Sequence, residues 1–189
     1  MKKENKILVM FVGKTYSGKT TLAQKIKNEL GKMLVLESDP IAAFMKEKFP
    51  ELRKNDNEEH AKLFNNLKLK FRTFLSFVEF ALSLGQAIIL SNGSVYKNGR
   101  KFILDLSKRF DYKVIGIYFD FPEEVLFDRA KNSNRSLNIL RTSKDFNALI
   151  INQRTRMQPP DTSEFDDFWV IKSEQDLFSV KDKLVKLLL

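Results

Sequence analysis

Eight consecutive residues, Gly13-Lys14-Thr15-Tyr16-Ser17-Gly18-Lys19-Thr20, carry the clearest chemistry in the sequence. They meet every defined position of the pattern G-x-x-x-x-G-K-[ST], a loop that wraps phosphate. The glycines let the backbone curl until successive N–H groups converge on an anion. A helix beginning there adds the positive end of its dipole. Lys19 then reaches the terminal phosphates of a polyphosphate, the Thr20 hydroxyl ligates Mg²⁺, and the cradle runs on to Thr21.

Such a loop works only between a strand and a helix. Ile7 to Val12 is an apolar run of the length of a buried parallel strand. Leu22, Ile26 and Leu30 recur at helical spacing, and Gly31 is a helix stop. Further along, Met33–Leu36, Ala87–Leu90, Lys113–Phe119 and Phe168–Ile171 read as four more buried strands. Helices are expected from Ile41 to Phe49, with Pro40 at the first position and Asp39 as a cap, and from Glu59 to Leu84 as one long element. Leu63, Leu67, Phe71, Phe74, Val78 and Ala81 form the stripe of that long helix, widened by Phe64, Leu75, Phe77 and Leu82. Gly99–Phe110 should bury Phe102, Ile103, Leu106 and Phe110. Another helix begins at Pro122–Lys131, and a last one starts near Glu174 with Ser173 and Asp176 as its cap. Between them, 132–160 is polar and basic, with Leu140, Phe146, Leu149 and Ile150 as apolar anchors.

Strands alternating with helices imply parallel pairing and right-handed crossovers, hence a three-layer α/β/α sandwich. Ligands of such sheets bind at the carboxyl ends of the strands. The phosphate loop, Asp39 and the Ser91–Ser94 loop all start at such ends, so they should converge.

The chain has 189 residues, 43% of them hydrophobic, with 17 Phe and no Cys, which fits one domain (1–189) with a large core and no disulfide framework. There are no internal repeats or proline-rich linkers. Met1-Lys2-Lys3 is basic, but no small-residue cleavage site follows the first apolar run; the expectation is a cytoplasmic protein with no membrane partner. A net charge of +9 favours polyanionic ligands: nucleotides, phosphorylated metabolites or nucleic acid. His60, the single histidine, is expected at the surface and not as a base or ligand.

The order of motifs carries a resemblance. The phosphate loop is followed by Ser38-Asp39, by Ile88-Ile89-Leu90-Ser91-Asn92 with Arg100 downstream, and by Val114–Phe119 with Phe121-Pro122-Glu123-Glu124. Arg129, Arg135, Gln153–Met157, Pro159-Pro160, Glu164 and Phe168–Ile171 close the pattern. The chain resembles the small P-loop kinases of the polynucleotide-kinase, zeta-toxin and gluconate-kinase kind. The resemblance implies the nucleoside-monophosphate-kinase-like fold, a five-stranded sheet in order 2-3-1-4-5, and a helical basic lid at about 129–160. It implies ATP and Mg²⁺ as cofactors and transfer of the γ-phosphate to a hydroxyl of a small molecule or nucleotide. On it Lys19, Asp39 and Arg135 are the catalytic residues: Asp39 takes the acceptor's proton and Arg135 steadies the migrating group from the lid. Gly13 to Thr21 and Arg129 hold the nucleotide, Arg129 near its base. Arg141, Arg154 and Arg156 are further lid cations, and Thr20 is the metal ligand.

Two departures leave alternatives. Relatives place an acid where this chain has Asn92, which motivates a nucleotide-binding module without catalysis. The charge motivates a polynucleotide 5′-hydroxyl kinase, although Ile41-Ala42-Ala43 replaces the arginine such enzymes carry after the acid.

Overall fold

The protein is described by a computed structural model over residues 6–31, 33–49, 69–134 and 145–189. Five parallel strands form one sheet in the order β2-β3-β1-β4-β5. They are β1 (Ile7–Gly13), β2 (Leu34–Leu36), β3 (Ile88–Leu90), β4 (Lys113–Phe119) and β5 (Asp167–Ile171). The helices are α1 (Lys19–Leu30), α2 (Ser38–Lys48), α3 (Leu69–Ser83), α4 (Lys97–Arg109), α5 (Glu123–Lys131), α6 (Phe146–Arg156) and α7 (Glu174–Leu188). The expected strand order and layering are what the chain adopts.

The central strand shows why. Every residue of β1 is buried, so neither face of it meets water. Its side chains alternate: Val9 and Phe11 pack with Leu22 and Ile26 of α1 and Leu184 of α7, while Leu8, Met10 and Val12 pack with Phe74 and Val78 of α3 and Ile103 of α4. Each fully buried side chain of this size contributes about 1.5–3 kcal/mol. Register is fixed on both sides, Val9 opposite Ile89 of β3 and Ile115 of β4. β2 is only half-buried, unlike the buried strand expected, because it lies at the sheet edge. Among the described residues no helix is long and apolar enough to cross a membrane.

Several local expectations change. α2 starts at Ser38 after Glu37 as N-cap, so Asp39 lies inside its first turn and not at the cap position. α3 is described from Leu69; the part of the expected long helix at 59–68, with His60, lies outside the described residues. Phe74, Val78, Ala81 and Leu82 are buried as the stripe requires. Phe77 and Phe80 are exposed, as is Phe102 on α4, because α3 and α4 each have only one face against the sheet. α7 begins as expected: Ser173 and Asp176 form a capping box, each side chain accepting the other's backbone N–H.

Candidate active site

The loop after β1 is held in a shape that few residues other than glycine permit. A Cβ on Gly13 would lie 2.8 Å from Phe119 Cβ and 2.9 Å from its carbonyl oxygen. The Gly13 N–H instead donates to Gly93 O at 2.9 Å, joining the loop to the end of β3. Gly18, at φ +93, makes the left-handed N-cap of α1. That cap makes no side-chain hydrogen bond, so the first-turn N–H groups of α1 keep their capacity for an anion. Lys19 is 9% exposed, and its ammonium donates to Lys14 O and, at 2.9 Å, to Ser17 Oγ. Thr20 Oγ1 accepts a long contact from the buried Ser91 at 3.4 Å.

These groups open into a cavity of about 880 Å³, a size that suits a small-molecule site. Its lining takes in the loop and Arg129 together with Glu37, Ser38, Asp39, Ser91–Tyr96, Phe71 and Phe74. The convergence of three strand ends expected from the sequence is therefore present. Asp39 Oδ1 accepts from Lys70 Nζ of α3 at 2.6 Å, with Asp39 60% exposed and Lys70 28%. Asn92 braces the backbone: its Oδ1 accepts from Ser38 N at 2.9 Å, fixing the start of α2 against the end of β3.

The first half of the loop is gripped from outside by α5 and α6. Lys14 Nζ pairs with Glu123 Oε1 at 2.6 Å, and the same carboxylate receives Arg154 of α6. The Arg154 hydrogen bond first, and then the Lys14 ammonium, hold the Glu123 carboxyl down at about 2. The Thr15 N–H donates to Gln153 Oε1 at 2.7 Å. Tyr16, at φ +61, sets its ring edge-to-face on Phe146, centroids 5.1 Å apart. Its hydroxyl is buried without a hydrogen-bond partner among the described residues. Arg129 lies over the Phe121 ring at 4.3 Å, donates to Tyr16 O at 3.0 Å, and pairs with Glu174. That sets a flat cation at the cavity wall, where it can face a base or a phosphate.

Below the site, Arg100 of α4 is wholly buried. Its guanidinium makes a fork to Glu164, Nε to Oε2 at 2.8 Å and Nη2 to Oε1 at 2.9 Å. Nη1 also donates to Ser94 O at 3.0 Å and Gln158 O at 2.9 Å. Burial pushes the Glu164 carboxyl up, but the Arg100 bond and the Asp161 N–H outweigh it, leaving it below its ordinary value. This knot ties the cavity-lining Ser94 loop to the segment leaving α6.

Lys19, Thr20, Asp39 and Arg129 thus meet around one cavity. Arg135 and Arg141 lie outside the described residues. Arg154 turns to Glu123, not to the phosphate cradle. Tyr96, half exposed, lines the same cavity. From the sequence Glu123, Gln153 and Arg100 appear only as members of the motif order, without a role, and Lys70 is missed. A weak signal exists in the closely spaced Gln153, Arg154, Pro159 and Glu164, whose partners only the fold supplies.

The AAA domain family matches residues 8–159. No curated protein matches the chain. Several solved structures share its fold. Kti12 of Chaetomium thermophilum, in complex with ADP-AlF3, is 14% identical over 96% of this chain and 99% of that one, at a TM-score of 0.66. APS kinase CysC of Mycobacterium tuberculosis, in complex with AMPPNP and APS, is 13% identical over 97% and 98%, at 0.63. Shikimate kinase of Bacteroides thetaiotaomicron is 17% identical over 96% and 98%, at 0.57. At these identities the likeness is one of fold.

Proposed function

The chain belongs to the AAA domain family and has a P-loop kinase-like fold, and from that premise we propose that it is an ATP-dependent phosphotransferase. It passes the γ-phosphate of Mg-ATP to a hydroxyl of a small molecule or nucleotide. The observation that carries this reading is one cavity lined by both the phosphate loop and Asp39.

The residues fit a bound polyphosphate. A buried ammonium sits at the loop, held by backbone and hydroxyl oxygens that phosphate oxygens can replace. Gly13 has no room for a side chain, and α1 begins at an N-cap that makes no side-chain hydrogen bond. Thr20 is the residue that would hold Mg²⁺, which when bound supplies positive charge to the terminal phosphates. In this reading Lys19 turns from Lys14 O to the β- and γ-phosphates. The acceptor hydroxyl gives its proton to Asp39 as its oxygen attacks phosphorus, and ADP leaves. Lys70 orients Asp39 before the acceptor arrives. Arg129 serves the nucleotide, and Arg135 is assigned to the migrating phosphoryl group.

Transfer of labelled γ-phosphate to a panel of alcohols tests the reading. Wild type should label an acceptor and Lys19→Ala should not, while retaining its fold by circular dichroism. Equal labelling by both would overturn it.

Asn92 supports a second reading, a nucleotide-binding module without transfer. Its amide is committed to Ser38 N and offers no negative charge at the end of β3. Binding of ATP with no labelling of any acceptor and no hydrolysis would favour that reading.

A further inference from the structure

One peptide unit of the phosphate loop is held at both of its polar atoms. The carbonyl of Lys14 accepts from Lys19 Nζ, and the N–H of the same peptide, on Thr15, donates to Gln153 Oε1 at 2.7 Å. An N–H can be met only by the oxygen of a carboxamide, so the NH2 of Gln153 is turned off the loop backbone. Gln153 lines the cavity, and its NH2 has no protein acceptor among the described residues. The side chain is also braced. Arg154, the next residue of α6, binds Glu123, which binds Lys14, the residue before Thr15. Two turns earlier on α6, Phe146 packs on Tyr16.

We infer that Gln153 is a binding residue for the terminal phosphate of a nucleoside triphosphate. Its oxygen is anchored on the Thr15 N–H, and its NH2 is the donor left for the cavity that Gln153 lines. The inference rests on the proposed nucleotide site and adds to it a reader of phosphate number. The chemistry requires a side chain that accepts at one atom and donates at the other, which glutamine does and glutamate does not. Glutamate keeps the bond to Thr15 but sets a negative charge against the phosphate. The diphosphate, one phosphate shorter, ends before the donor.

Calorimetry with ADP and with AMPPNP, each with Mg²⁺, tests this on wild type, Gln153→Glu and Gln153→Met. Gln153→Glu should melt close to wild type, hold ADP as wild type does, and bind AMPPNP about tenfold or more weakly, the scale of one hydrogen bond to a charged group. Gln153→Met, which removes both atoms at similar length, should also lose preference for the triphosphate. An unchanged ratio of AMPPNP to ADP affinity in both variants overturns the inference and leaves the nucleotide site standing. No binding of either nucleotide by wild type overturns both.

Discussion

Arg100 and Glu164 meet in a two-bond fork at 2.8 and 2.9 Å, the arginine wholly buried and the glutamate side chain 9% exposed. Removing one partner strands a buried charge, which typically costs about 3–5 kcal/mol. Glu164→Ala should therefore lower the free energy of unfolding in urea by that amount. Glu164→Gln, which keeps an oxygen for the fork, should lose less. A loss under about 1 kcal/mol for Glu164→Ala would show that Ser94 O and Gln158 O satisfy Arg100 alone.

Asp39 and Lys70 form the contrasting pair, exposed enough to be cheap. Lys70→Met should cost less than about 1 kcal/mol of stability, the range of exposed ion pairs. Asp39→Asn should leave ATP affinity unchanged and lower turnover by ~100-fold or more, the scale of general-base loss. Equal losses in ATP affinity and turnover would assign Asp39 to the metal instead.

Glu123 links the loop to α6, and its carboxyl is held at about 2 against an ordinary 4.5. A carboxyl with a folded value below its unfolded one stabilises when ionised. The contribution is full above about 4.5 and is lost as pH falls from there through about 2. Thermal melts of wild type and Glu123→Gln should differ most at neutral pH and converge across that window. A constant gap at every pH would mean that the carboxylate charge is idle.

Gly116 and Gly99 make opposite predictions from neighbouring elements. A Cβ on Gly116, in β4, would lie 2.6–2.8 Å from three ring atoms of Phe165. Gly116→Ala should therefore destabilise by about 1–3 kcal/mol, as overpacking does. On Gly99, in α4, the nearest atom is 3.9 Å away on Phe71, so Gly99→Ala should stabilise by about 0.5–1 kcal/mol. Both are read from chemical denaturation midpoints.

The sheet is legible in the sequence because its signals are local. The apolar run of β1, the glycine loop and the stripe on α1 all fall within 7–30, and each element declares its own period. The capping box at Ser173 and Asp176 lies within one turn and can be read directly. The site's supports cannot, since their partners are far apart in sequence. Lys14 and Glu123 are separated by 109 positions, Thr15 and Gln153 by 138, Arg100 and Glu164 by 64. No periodicity marks such pairs; they exist only once the sheet order is set. The sequence places Asp39 at the cavity correctly but as a cap wrongly, because the helix begins earlier than Pro40 suggests. Spacing alone turns Phe102 inward, yet α4 presents it to solvent.

The chain's one tryptophan, Trp169 of β5, sits with its indole N–H on Asp167 at 2.9 Å and the Lys183 ammonium 3.8 Å from its ring centre. Its fluorescence is thus an optical gauge of the sheet edge beneath α7, separated by β4 from the strand that carries the phosphate loop. A fluorescence change on adding nucleotide would therefore register strain carried across the sheet, and a silent signal would mean that the far edge stands still as nucleotide binds.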